Sequence, residues 1–147
     1  MSDFRPLSAG FSVAQQILIE DVAEAKAQGF AMIVNNRPDG EEPSAPQGGD
    51  IAHASAAEGI AYAAIPIGHS GFSHAQIDAL DKLLADATGP ILAYCRSGTR
   101  STHLWALTQA RGGAEVGAIV DAAAKAGYDL AGLRPMLFSP EGLAVVH

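Results

Sequence analysis

Three short apolar runs, Ala31-Met32-Ile33-Val34-Asn35, Ile60 to Ile67 and Ile91-Leu92-Ala93-Tyr94, have strand length but not the apolar-polar alternation of a half-exposed strand. A strand that is apolar on both faces needs cover on both, so each run predicts the interior of a parallel sheet. Helical signals separate the runs. Glu20 to Gln28 reads as a helix closed by Gly29, with Val22, Ala23 and Ala27 on its apolar face; Asp50 to Glu58 reads as a second, with Asp50 as N-cap and Gly59 at its end. Ser73-His74-Ala75-Gln76 is a capping box opening a third helix, whose Ile77, Leu80, Leu84 and Ala87 share one stripe before Gly89-Pro90 stops it. A fourth is predicted from Arg100 to Ala110 with Leu104 and Leu107 inward. Phe11 to Ala14 adds a short strand, and two further helical segments lie near Ala114 to Ala126 and Asp129 to Met136. Strands alternating with helices give an α/β domain with a central, mostly parallel sheet flanked by helices.

The length of 147 residues predicts one domain, 1–147, able to hide roughly 70% of its unfolded surface in one core. With 48% hydrophobic and 17% charged residues the chain is not a disordered or low-complexity one. It has no apolar run near the ~20 residues of a membrane span, and its start, Met1-Ser2-Asp3-Phe4-Arg5, lacks signal-peptide character, which leads to the expectation of a soluble cytoplasmic protein. Nine Lys+Arg against 16 Asp+Glu leave a formal charge of −7, which argues against nucleic acid and anionic membranes as partners. Any anion must therefore be held locally, which points to a small anionic substrate. Cys95 is the single cysteine, so an internal disulfide is excluded. His53, His74 and His103 fall on predicted helices without a partner at metal-ligand spacing, so neither metal nor cofactor is expected.

Ligands of such sheets bind outside the carboxyl ends of the strands, here the loops leaving Asn35, Ile67 and Tyr94. Those loops carry Arg37 and Asp39, then His69, then Cys95 to Arg100, while the Pro-, Gly- and acid-rich stretch from Asn36 to Gly49 has the length of a functional loop. A lone thiol is inert core filler or a nucleophile. Tyr94-Cys95-Arg96-Ser97-Gly98-Thr99-Arg100-Ser101 favours the second reading, because it joins a buried strand to a helix N-terminus through a Gly-containing turn. Amide N–H groups of Arg96, Ser97, Gly98 and Thr99 and the positive end of the helix would stabilise a thiolate and cradle an oxyanion beside it. Arg100 in the first helical turn opposes the helix dipole unless an anion lies between them, and its planar fork suits two oxygens of that anion. Arg37 is assigned to holding the acidic loop, and Trp105 to packing behind the Cys loop.

Cys95-Arg96-Ser97-Gly98-Thr99-Arg100-Ser101 resembles the signature loop shared by protein tyrosine and dual-specificity phosphatases and by rhodanese-type sulfurtransferases. Val13-Ala14-Gln15-Gln16-Ile17, Gly29-Phe30, Ile33-Val34-Asn35-Asn36-Arg37-Pro38-Asp39-Gly40-Glu41, Tyr62-Ala63-Ala64-Ile65-Pro66-Ile67 and Leu104-Trp105-Ala106-Leu107 extend the likeness. Together they resemble the phosphatase-like domain of beta-lactamase-hydrolase-like proteins. The resemblance implies a dual-specificity-phosphatase-like fold, Cys95 as nucleophile, Arg100 as oxyanion clamp, and Ser101 as the hydroxyl that steadies the departing sulfur.

Three positions depart from the phosphatase pattern. Four residues separate Cys95 from Arg100 where such phosphatases have five, and four is the rhodanese length. Gly68-His69 stands where an acidic Asp is usual, leaving His69 as the candidate general acid and Asp39 as an alternative; Tyr94 replaces the histidine that often precedes the cysteine. The expectation is a Cys95-dependent phosphatase acting on a phosphate monoester. Its alternatives are a sulfurtransferase that forms a Cys95 persulfide from a sulfane-sulfur donor, and a non-catalytic anion or phosphoprotein binder.

Overall fold

The structure, a computed structural model, describes residues 3–68 and 71–139. Five strands, β1 (Arg5–Ser8), β2 (Phe11–Ala14), β3 (Met32–Asn35), β4 (Ala61–Ala64) and β5 (Ile91–Tyr94), form one sheet in the order β1-β2-β5-β3-β4. β5 is central. It pairs in parallel with β2 on one side and β3 on the other, and β3 pairs in parallel with β4. Only β1 runs antiparallel, as a hairpin with β2. That edge strand was not read from the sequence, since Leu7 is its single buried residue and Pro6, which cannot donate to a ladder, is a residue of sheet edges.

All four residues of β5 are buried, as its uniform apolarity requires. Side chains alternate across the sheet, so Ile91 and Ala93 enter one apolar cluster, with Val13, Val34, Leu104 and Leu107, while Leu92 and Tyr94 enter another, with Val22, Ile33 and Ile51. Helices α1 (Ile19–Ala27) and α2 (Gly48–Glu58) contribute to the second cluster. α3 (His74–Asp86), α4 (Thr99–Arg111), α5 (Val116–Lys125) and the short α6 (Arg134–Phe138), which follows a 3-10 turn at Ala131–Leu133, contribute to the first.

Several helix details differ from the sequence reading. α1 buries Val22 and Ala25, whereas Ala23 and Ala27 are exposed, because one short helix crossing the sheet needs only a narrow stripe. α2 starts earlier than read. Its N-cap is Gln47, and Asp50 sits three residues inside, accepting from the Gln47 N–H at 2.9 Å. The run Ile60 to Ile67 pairs regularly only over β4, because Pro66 has no N–H; Ile65 and Ile67 remain buried and donate backbone hydrogen bonds to Asn35 and Asn36.

The capping box of α3 forms as read: the Ser73 N–H donates to Gln76 Oε1 at 2.9 Å and the Gln76 N–H to Ser73 Oγ at 3.3 Å. Ser73→Ala is expected to lower unfolding free energy by about 1 kcal/mol in denaturant titrations, the usual worth of such a cap.

Register decides where the site lies. Ala14 and Asn35 both align with Tyr94, and Asn35 aligns with Ala64. Four parallel strands thus end level, and the segments that follow them emerge along one edge.

Candidate active site

Cys95 leaves β5 directly and Thr99 opens α4, so three residues make the turn. The turn is stitched to the segment after β2 by the Cys95 N–H to Ala14 O (3.4 Å) and the Gln16 N–H to Arg96 O (3.2 Å). Gly98 caps α4 in the left-handed region, φ 91° and ψ −9°, a conformation that lets its N–H turn back to donate to Cys95 Sγ at 3.1 Å. Cys95 is fully buried, yet an amide hydrogen faces its sulfur.

Tyr128 braces the turn from behind, its hydroxyl donating to Ser97 O at 3.1 Å. A methyl group at position 98 would overlap the Tyr128 phenol as well as straining the backbone. Gly98→Ala is accordingly expected to cost about 2 to 4 kcal/mol of stability, from positive φ and overpacking combined. In a Tyr128→Ala background, which carries its own cost, the overlap is gone and the backbone strain remains, so denaturant titrations should show a smaller loss from Gly98→Ala there than in the native chain.

Arg100 reaches across the site in the first turn of α4. Its Nη1 donates to Glu41 Oε2 (2.9 Å) and to Ile67 O (2.8 Å), and its Nη2 donates to Glu41 Oε1 (2.7 Å). Three of the five guanidinium hydrogens are so placed, which leaves the Nε–H and one Nη2–H adjacent on one edge, and the guanidinium also lies within hydrogen-bonding reach of the Cys95 thiol. The hydrogen bonds it donates to Glu41, and to a smaller extent the charge of the neighbouring Cys95 and a hydrogen bond to it, push the Arg100 pKa up from its ordinary value against the cost of burial. The loop from 36 to 47 therefore brings Glu41, rather than Asp39, to the arginine.

Glu41 is itself clamped between two guanidiniums, since Arg37 Nε also donates to its Oε1 at 2.8 Å. The Arg100 hydrogen bond, with Arg37 assisting against the cost of burial, lowers the Glu41 pKa from 4.5 to about 2. Arg37 is almost wholly buried and anchors the loop through Nη1 to Gln16 Oε1 (3.0 Å) and its own N–H to Asn35 Oδ1 (2.8 Å). Asp39 Oδ1 accepts from the Gly48 N–H at 2.8 Å, the first amide of α2. That approach requires glycine, because a Cβ at position 48 would lie 2.9 Å from both Asp39 Oδ1 and the Tyr62 hydroxyl.

Ser101 is fully buried, and its hydroxyl donates to Asn36 Oδ1 at 2.7 Å, while Asn36 Nδ2 donates to Ile65 O at 2.9 Å. A hydroxyl has one hydrogen, so in this arrangement it goes to Asn36 and not to the sulfur. Ser97 and Thr99 bond to each other through their hydroxyls at 2.9 Å. Arg96 is exposed, with no side-chain hydrogen bond among the described residues. Tyr94 turns to the opposite side of β5; its hydroxyl is buried without a partner among the described residues, and burial pushes its pKa up. His103 is pushed down by burial. His69 lies outside the described residues.

Glu41, Asn36 and Tyr128 were not singled out as site residues from the sequence. Their partners are 59, 65 and 31 positions away, so no local spacing marks them. The acidic pair that follows Arg37-Pro38-Asp39-Gly40 was the one visible hint.

Residues 3–113 match a family model described as the phosphatase-like domain of the beta-lactamase hydrolase-like protein. A beta-lactamase hydrolase-like protein of Agrobacterium fabrum is 39% identical over 102 residues, covering 69% of this chain and 24% of that protein. The chain thus spans about a quarter of the length of this curated relative. Among solved structures, a candidate phosphatase of Neisseria meningitidis superposes with a TM-score of 0.84 at 28% identity, over 94% of this chain and 98% of that one. The kinase associated phosphatase shares the fold, with a TM-score of 0.75 at 14% identity, over 100% of this chain and 97% of its own.

Proposed function

The chain belongs to the family of phosphatase-like domains of beta-lactamase hydrolase-like proteins, and on that premise we propose that it hydrolyses phosphate monoesters through Cys95. The observation that carries the reading is the Gly98 N–H on the Cys95 sulfur, with the two-donor edge of Arg100 left over beside it. An ionised Cys95 attacks phosphorus and forms the S–P bond as the ester P–O bond breaks. Arg100 and the amides of Arg96 to Thr99 stabilise the charge gathering on the non-bridging oxygens. The leaving alkoxide takes a proton, which we assign to His69, with Asp39 as the alternative only if its carboxylate leaves the Gly48 amide; water then cleaves the S–P bond and releases phosphate. Arg96 extends the positive field at the mouth. Ser101 serves the departing sulfur only if its hydroxyl rotates away from Asn36.

Stopped-flow hydrolysis of an aryl phosphate tests this: a burst of phenol stoichiometric with enzyme, followed by a slower steady rate, is expected. Absence of turnover would reject it. The four-residue spacing between Cys95 and Arg100 favours a second reading, transfer of sulfane sulfur, in which thiosulfate and cyanide yield sulfite and thiocyanate through a Cys95 persulfide. Neither activity, with vanadate still binding, would leave an anion binder.

In this reading Glu41 is a positioning residue, since it holds Arg100 and does not touch the reacting atoms. Its depressed pKa sets the sign of the pH effect. The contact is at full strength above Glu41's ordinary 4.5 and is lost as pH falls through about 2. Between pH 5 and 8 the clamp is therefore constant, and an acidic limb in kcat/KM over that range belongs to another group. Glu41→Gln is expected to lower kcat/KM by roughly 10- to 100-fold through misalignment of Arg100, without moving that limb. A shifted limb would contradict the assignment.

A further inference from the structure

Leu18 and Ile19, at the start of α1, are 49% and 43% exposed, although the chain has few large apolar side chains at its described surface. They are not isolated. On one side lies a hollow of about 750 Å3 whose floor is a single face of α2, because Asp50, His53, Ala54, Ala57 and Glu58 recur at helical spacing. On the other side a hollow of about 350 Å3 is walled by Gln15, Gln16 and Phe4, with Leu18 shared between the two. Together they make one trough with an aliphatic crest.

Two properties give the trough a direction and a charge. It leads to the cradle, since the Gln16 N–H donates to the carbonyl of Arg96, the residue after Cys95, and the Gln16 side chain accepts from Arg37. Its lining is one-signed. Asp3 and Asp21 line the smaller hollow and Asp50 and Glu58 the larger, beside His53, and among the described residues no lysine or arginine lines either. Asp21 and Asp50 accept helix-capping hydrogen bonds and Asp3 pairs with Arg5, and all three side chains sit on the lining of the hollows. The α2 face from Asp50 to Glu58 runs about 12 Å, a length that about four extended residues cover.

We propose that this trough is a substrate-docking surface for an extended protein segment that carries aliphatic and basic side chains beside its phosphorylated residue. The aliphatic side chains cover Leu18 and Ile19, and the basic ones answer the carboxylates. The proposal rests on the phosphatase reading for its substrate and names that substrate as a phosphoprotein rather than a small ester. Phosphate recognition stays with Cys95 and Arg100.

The test uses phosphotyrosine peptides whose flanks, on the N- or C-terminal side, contain Leu and Arg, Gly and Ser, or Leu and Glu. For one placement of the flank, the Leu/Arg peptide is expected to exceed the Leu/Glu peptide in kcat/KM by about tenfold or more, and the difference should shrink as salt rises. Leu18→Ser/Ile19→Ser should remove the preference and leave aryl phosphate turnover unchanged. A preference that is absent, or that survives the double substitution, overturns the proposal. So does a chain that dimerises in light scattering and becomes monomeric in the double variant, because a second copy then covers the crest.

Binding of the unphosphorylated Leu/Arg peptide to Cys95→Ser protein, followed by fluorescence anisotropy, separates the two readings. If aryl phosphate is not hydrolysed, the phosphatase reading falls and this measurement alone decides the surface. Binding weakened about tenfold by Leu18→Ser/Ile19→Ser sustains the docking site. Unchanged or absent binding removes it.

Discussion

Cys95→Ser is expected to abolish the phenol burst and reduce aryl phosphate turnover by on the order of 10⁴ or more, while inorganic phosphate binds the variant at least as tightly as the native protein. The two halves of the result come from different atoms. A serine hydroxyl is not ionised near neutral pH, so the nucleophile is lost. The cradle is not: the Gly98 N–H and the Arg100 edge persist, and a neutral oxygen takes the place of the thiolate that the proposed mechanism requires and that would repel phosphate. Isothermal titration with phosphate checks the second half. Turnover within about tenfold of native would mean that Cys95 is not the nucleophile.

The second large effect is of the opposite kind. Arg100→Lys keeps the positive charge, yet a lysine ammonium cannot hold both Glu41 oxygens and the Ile67 carbonyl while presenting two parallel N–H groups to an oxyanion. Loss of one preorganised oxyanion donor costs about 10² to 10³ in rate, so a fall of that size in kcat/KM is expected, together with weaker phosphate binding. Phosphate affinity thus separates the variants. It is retained in Cys95→Ser and lost in Arg100→Lys. A lysine variant within about threefold of native on both counts would show that charge suffices and that the fork is idle.

The parts of the site that could be read in advance are those written over a few consecutive residues. β5 shows itself because a central strand buried on both faces must be apolar throughout, and the turn at Cys95 follows from a glycine and an arginine within five positions of a thiol. The α3 start was legible for the same reason, since Ser73 and Gln76 answer each other's amides across one helical turn. Asp50 misled by the same logic: it does cap α2, but from inside the helix, and an aspartate before an apolar run reads equally well either way. β1 escaped because an edge strand with a proline and one inward side chain has little periodicity.

The resemblance to phosphatases carried over Cys95 and Arg100 as positions, and the structure shows how their surroundings are divided. Ser101 spends its hydrogen on Asn36, and Asp39 spends its carboxylate on the first amide of α2. Glu41, unremarked among neighbouring acids, occupies the far side of Arg100. Nothing in the alphabet distinguishes Glu41 from Glu42 until the loop is folded.

Local order along the chain, then, is enough to determine the alternation of strands and helices, the mostly parallel sheet, and the place of the thiol at a strand end, because backbone hydrogen bonding and side-chain periodicity act over neighbouring residues. Which carboxylate meets Arg100, which oxygen receives the Ser101 hydrogen, and which apolar side chains stay uncovered were decided only when β2, β3, β4 and β5 ended level and set their loops side by side. Those are contacts between segments distant in the chain, selected by geometry and burial, and no residue's own neighbours specify them.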